Sequence, residues 1–402
     1  MFTKKILERY AQVLVWALEQ ARAGSGGIYR PGDIVSITFH IGGLKLAEAV
    51  HKTLLSKGLC PVLELRQTAG MESNFYKLAN DQQMEFRTPW CDQLCHSLNG
   101  DIYILAPDSI SHLVKTDPKK LSRRAIILKQ GQKILEKREE CGEYGWTLCC
   151  LPTAAQAAAA GMTIREYGNE IIRACYLDNN NPVAIWESLT RKSQHIKNWL
   201  KQLDIRHVHV ESDNIDLSVN IGQDRKWVGF SGCNIPGFEI FTSPDYRGTN
   251  GIYYSNMPSY RLGHLIRGVR LEFKQGDVVR ATAEEGEDFL RGQLNTDTGA
   301  KRLGEFSLTD KRMSPISRFM AETLYDENVG NPNGNCHVAI GNSYSDTYSG
   351  NEQLNDEKKS LLGFNDSAIH WDLVNTESKR VTALLKGGVK KVIYDDGIFL
   401  VD

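Results

Sequence analysis

No apolar run in this chain approaches the roughly 20 residues that a membrane-spanning helix needs, so a helical membrane protein is excluded. Neither charge is in excess: 48 basic residues face 49 acidic ones, for a formal net charge of −1. That balance gives no basis for general binding to nucleic acid or to anionic membranes, which draw on a basic surplus. There is no CxxC pair. The nine cysteines are an odd number, scattered along the chain, with Cys149 and Cys150 adjacent in an apolar run. This usage excludes a disulfide framework and points to a reducing compartment, so a cytoplasmic location is expected. The first ten residues, Met1 to Tyr10, mix charge into a helical pattern and lack the apolar core and small-residue cleavage site of a signal peptide. Internal repeats and low-complexity tracts are missing too. Gly42 and Gly43 follow a strand-like run, but no G-x-G-x-x-G or P-loop pattern surrounds them, so a nucleotide site is not expected.

What is present is an ordinary globular balance, 41% hydrophobic and 24% charged, over 402 residues, enough for two domains. The first half has an α/β rhythm. A helix over 4–23 precedes a β-rich run over 34–39, a helix over 44–57 and a second apolar run over 60–66, a strand–helix–strand unit that favours a parallel pair. Further buried strands are predicted over 101–106 and 146–151. Asp178 to Pro182 is the strongest boundary signal, and a helix over 183–203 follows as a connector. Beyond it the texture alternates like antiparallel strands over 207–210, 215–221, 265–273 and 278–282, with a hairpin turn at 274–277. The expected fold class is α/β: an N-terminal α/β domain with a mainly parallel sheet over 1–182, then an α+β domain with a largely antiparallel sheet over 183–402.

The second half also gathers metal-capable side chains beside turn residues: Glu239, Glu305, Glu327, His337, His370 and Asp372. His370 and Asp372 lie two apart in a strand-like run, so they share a face. Alone that match is at chance level. Four carboxylates carry a charge that two divalent cations would balance, and two imidazoles complete the donor set. Oxygen and nitrogen donors without thiolate suit Zn, Co or Mn better than a structural zinc site. A metal pair about 4 Å apart can activate water and hold both ends of a hydrolysed bond.

These residues fall in five ordered motifs: N-x-P-x-x-E-x-F-T-S-P (Asn234 to Pro244), D-x-G-A-x-x-L-G-E (Asp297 to Glu305), L-Y-D-E-N (Leu324 to Asn328), C-H-x-A-I-G-x-x-Y (Cys336 to Tyr344) and H-x-D (His370 to Asp372). With them the chain resembles the aminopeptidase T / aminopeptidase S family of metallo-aminopeptidases, the thermophilic metalloproteases, over essentially its whole length. The resemblance implies an exopeptidase with two divalent metal cations (Zn, Co, Mn or Mg), a peptide substrate with a free N-terminus, and a homodimer whose packing walls off the site. It implies Glu239, Glu305, Glu327, His337, His370 and Asp372 as metal ligands, Glu305 also as bridge or base, and Tyr344 as the donor to the oxyanion. One departure is visible: Val329 to Asn335 separates Glu327 from His337, where the family runs the two motifs almost together. His207, His209 and Glu211 share a strand face with better metal spacing than His370 and Asp372, but match no family motif and read as structural. Two other functions stay open at this stage. One is a one-iron ring-opening dioxygenase, which would keep the histidines and Asp372 but lose the glutamates. The other is a peptide-binding relative without turnover.

Overall fold

A computed structural model describes residues 2–401. The chain divides into two compact units. One comprises Met1–Ser188 with Ser231–Gly237, the other Leu189–Phe230 with Phe238–Asp402. The boundary falls inside a long helix, Pro182–Gln202.

The first unit is built on a five-stranded, wholly parallel sheet in the order Cys60–Leu65, Ile34–Phe39, Gly100–Leu105, Gly145–Cys150, Asn234–Ile235. Parallel strands need crossovers, and helices supply them. Ile34–Phe39 leads through the helix Leu44–Ser56 into Cys60–Leu65. The helix Lys4–Gly24 starts at Thr3, whose hydroxyl accepts from the Ile6 backbone N–H, and buries Tyr10, Val13, Leu14, Ala17, Leu18 and Ala21 at helical spacing. Its apolar stripe faces the sheet. The segment 231–237 lies in a region that the sequence reading assigned to the C-terminal domain. Here it supplies the last strand of the parallel sheet, because Asn234 and Ile235 pair with Leu148 and Cys149. A two-residue strand pairing with a sequence-distant partner leaves no periodic trace in the chain.

The second unit holds an eight-stranded and a four-stranded sheet, both antiparallel throughout. The mainly parallel then mainly antiparallel expectation therefore holds. One predicted strand does not: 265–273 splits into His264–Ile266 and Val269–Lys274. Gly268 sits between them at a φ of +59°, a left-handed turn conformation that glycine adopts without a steric penalty. The four-stranded sheet runs in the order His370–Asn375, Asn335–Gly341, Leu303–Thr309, Glu239–Thr242. Its two central strands are buried at every position, so both faces are covered. This small sheet carries the site.

Candidate metal centre

Register on the four-stranded sheet decides which side chains meet. Glu305 pairs with Ala339, which pairs with Asp372. Ser307 pairs with His337 on one side and Phe241 on the other, while Thr309 pairs with Glu239 and Gly341 with His370. Because strand side chains alternate, Glu239, Glu305, His337, His370 and Asp372 all project from one face. Ala339 lies among them with only a methyl group, which leaves room between the carboxylates.

The donors converge. His337 Nε2 is 3.0 Å from Glu239 Oε2 and 3.2 Å from Glu305 Oε1. His370 Nε2 is 3.4 Å from Glu305 Oε2 and 3.3 Å from Asp372 Oδ1. Two donor groups result, Glu239–Glu305–His337 and Glu305–His370–Asp372, in each of which the atoms lie within 4.8 Å of one another. Glu305 belongs to both and offers one oxygen to each. Each imidazole is held from behind through its other nitrogen: His370 Nδ1 lies 2.8 Å from the Asn342 carbonyl, and His337 Nδ1 lies 3.4 Å from Asn335 Oδ1. This leaves Nε2 of each ring aimed at the carboxylates, the arrangement metal-binding histidines use.

Glu327 lies outside these two groups but in the same field. Burial pushes its carboxyl well above the usual range, and Glu239 and Asp372 add to the rise. Its position is tied to His337 by the intervening segment. Asn335 donates through Nδ2 to the Glu327 carbonyl at 2.9 Å and to the Val329 carbonyl at 2.6 Å, while its Oδ1 faces the His337 ring. The extra residues therefore form a pinned turn. Asp297, first residue of its motif, accepts from the Ala300 and Ala368 backbone N–H groups at 2.9 and 2.6 Å and from Ser367 Oγ at 2.8 Å. It ties the turn before Glu305 to the entry of the His370 strand.

The electrostatics describe a nest of carboxylates short of positive charge. Burial, then Glu305, lift the Glu239 carboxyl to about 7. Burial opposes ionisation of Asp372, yet His370 holds it down at about 2. Glu305 is likewise held low by hydrogen bonds from His337 and His370, against its burial. Both imidazoles are pushed well above their usual value by these carboxylates, although burial works the other way. Buried carboxylates in this number need compensating positive charge, which bound cations would supply. The donor set fits divalent metal: oxygen and imidazole, no thiolate, two groups sharing one carboxylate.

Tyr344 lies against the donor groups. Its ring centre is 4.7 Å from that of His370 and 5.8 Å from that of Phe241, and its backbone N–H donates to Ser243 Oγ at 2.8 Å. The residue is 37% exposed. Burial and then Glu305 raise its hydroxyl well above the usual phenol range, so it stays a proton donor.

The profile of the thermophilic metalloproteases (M29) matches residues 3–399. The chain belongs to this family. It is 25% identical to Aminopeptidase 2 of Geobacillus stearothermophilus over 417 residues, spanning 98% of this chain and 97% of that one. It is 22% identical to Aminopeptidase PepS of Streptococcus thermophilus, spanning 99% and 98%. The fold is that of wild-type AmpT from Thermus thermophilus, with a TM-score of 0.80 at 21% identity and full coverage of both chains. Membership makes the protein a metal-dependent protease, a hydrolase that requires metal for peptide-bond cleavage.

Within this family frame the other sequence motif falls away. His209 lies on the strand Ile205–Glu211 with its Nε2 2.8 Å from Asp216 Oδ1, an exposed pair. Neither His207, His209 nor Glu211 enters a donor group among the described residues. Asn335, Asn342 and Ser307, whose Oγ donates to Glu239 at 3.1 Å, were not anticipated. Asn335 left a readable signal, its strand alternation with His337. The Asn342 carbonyl left none, since a backbone group carries no residue identity. All nine cysteines are free, and no helix among the described residues is long and apolar enough to cross a membrane.

Proposed function

We propose that this protease is an aminopeptidase that hydrolyses the N-terminal peptide bond of oligopeptides with two divalent metals. Glu239, Glu305 and His337 would hold one metal and Glu305, His370 and Asp372 the other, with Glu327 completing the set. The observation that carries this reading is the shared Glu305: two complete donor groups meet at one carboxylate on one sheet face. Bound divalent metals supply Lewis-acid polarisation of the scissile carbonyl and a water acidified towards neutrality, with a pKa of roughly 7 in good zinc sites. Glu305 takes up a proton at a carboxylate oxygen. The Tyr344 hydroxyl donates to the oxyanion that develops as the carbonyl is attacked. The buried carboxylates of the donor groups favour the cationic amino end of a peptide over its interior. Zn, Co, Mn or Mg suits the donors, and a homodimer in the cytoplasm completes the proposal.

Elemental analysis of the purified protein, beside hydrolysis of Leu-, Arg- and Phe-p-nitroanilides after addition of each metal, tests it. Two metals per chain and release of p-nitroaniline are expected. A folded protein that cleaves none of the three with any metal would sink it. A one-iron ring-opening activity would need neither Glu239 nor Glu305, and both lie in the donor groups, so hydrolysis is favoured.

A further inference from the structure

The parallel sheet of the first unit ends on one side at the strand Cys60–Leu65, whose strand partner is Ile34–Phe39. The Cys60 N–H donates to the Asp33 carbonyl at 2.9 Å and the Arg66 N–H to the Phe39 carbonyl at 2.8 Å. Even-numbered residues of this segment therefore turn their main-chain groups inward. Those of Leu63, Leu65 and Gln67 turn outward, an open row of donors and acceptors. Pro61 blunts the start of this edge, since it has no N–H to offer, but the row from Leu63 onward keeps its donors.

The side chains of the edge are as incomplete as its backbone. Leu63 pairs with Ile37 and Leu65 with Phe39. Ile37 and Phe39 are buried, whereas Leu63 is 56% and Leu65 60% exposed. The apolar layer thus runs to the last strand and stops there uncovered. Glu64 and Arg66 stand on the opposite face. Neither side chain has a hydrogen bond or ion pair among the described residues.

This segment complements itself. Turned about a two-fold axis through Leu65, it runs antiparallel to its own copy, and Leu65 faces Leu65 of that copy. Leu63 then faces Gln67, so all the outward main-chain groups of these residues find partners. Glu64 faces Arg66, once on each side of the axis. That pair shares no main-chain bond, which gives the closer of the two spacings, with Cα atoms about 4.5 Å apart. The exposed leucines close over one another on the other face. An axis at Leu63 fits worse: it sets Glu64 diagonally beside Glu64 of the copy and leaves Leu65 opposite Pro61.

We propose that this edge is a self-association surface whose partner is a second copy of the chain, added antiparallel across a two-fold axis at Leu65 so that two sheets become one. The inference deepens the homodimer of the reading above and is independent of the metal chemistry.

Sedimentation equilibrium of the full-length chain and its charge variants tests it. The wild type should dimerise. Glu64→Arg sets arginine against Arg66 at both contacts, and Arg66→Glu sets glutamate against Glu64. Each should weaken self-association by about tenfold or more, because two cross-strand pairs change from opposite to like charge. An equimolar mixture of the two variants should recover a dimer of wild-type strength, since one chain then carries arginine and the other glutamate at both positions. The double variant Glu64→Arg/Arg66→Glu should recover it as well, and recovery shows that the variants fold. Single reversals that leave the dissociation constant unchanged overturn the inference and move the dimer to another surface. Weakening without recovery in the mixture overturns it too, because opposite charge does not repair a general disruption. A wild-type chain that is monomeric at every concentration overturns the homodimer along with the inference, and none of these results bears on peptide hydrolysis.

Discussion

Glu305 turns its two oxygens to two different histidines, so it stands at the junction of the two donor groups. Glu305→Gln keeps the shape and one acceptor but removes the charge between the donor groups. Turnover should fall by at least about 10²-fold, the lower range for loss of a positioned base, while the far-ultraviolet circular dichroism stays that of the wild type. Unchanged turnover would remove Glu305 from the mechanism. Tyr344 has a different assignment, and kinetics can separate the two. Tyr344→Phe leaves the ring against His370 and Phe241 but deletes the donor, so kcat should drop roughly 10²- to 10³-fold with little change in KM. A large rise in KM at constant kcat would instead make the hydroxyl a ground-state binder.

At the scale of elements, the site depends on how two strands lie against each other. Gly341 pairs with His370 and adopts a φ of +104°, and a Cβ there would stand 2.0 Å from the Ile369 carbonyl oxygen. That oxygen is backbone and cannot swing aside. Gly341→Ala is therefore expected to destabilise the protein by about 2 kcal/mol or more, from the forbidden backbone region and the clash together. Urea denaturation would read the loss. The same shift would move the His370 ring off the Asn342 carbonyl, so metal content after dialysis should fall as well. A variant with wild-type stability and metal content would show that the strand pair has slack. The glycine of the C-H-x-A-I-G motif is thus a packing requirement of the candidate metal centre, although it donates nothing to it.

The whole molecule inherits a pH dependence from a group in the first unit. Asp101, on the strand Gly100–Leu105 of the parallel sheet, is 4% exposed. Burial lifts its carboxyl from 3.8 to about 8, with hydrogen bonds from Tyr103 and Thr38 pulling the other way. The folded chain therefore keeps this proton between those values, and the unfolded chain releases it. Protons bound in excess by the folded state mean that stability falls as pH rises through this window. The contribution is on the order of 4 kcal/mol lost between pH 5 and pH 8, at 1.36 kcal/mol for each unit. Asp101→Asn, which removes the ionisation, should show a distinctly smaller drop in melting temperature from pH 5 to pH 8 than the wild type. An identical drop in both proteins would place the titrating group elsewhere.

Much of this was written in local order. Alternation put His370 and Asp372 on one face, helical spacing gave the buried stripe of the helix Lys4–Gly24, and five ordered motifs carried the family. These signals are readable because each depends on residues close together in the chain. Convergence of the donors was not readable in that way. Which residue of Leu303–Thr309 stands opposite which residue of Asn335–Gly341 is set by strand register, and a slip of one position would send Glu305 to the opposite face. The parallel strand at 234–235 and the Asn342 carbonyl behind His370 are likewise products of long-range pairing. The sequence by itself determined the donor types, their order and the family. Only the tertiary structure decided that Glu305 stands between two histidines, because burial and register act between segments that local patterns cannot relate.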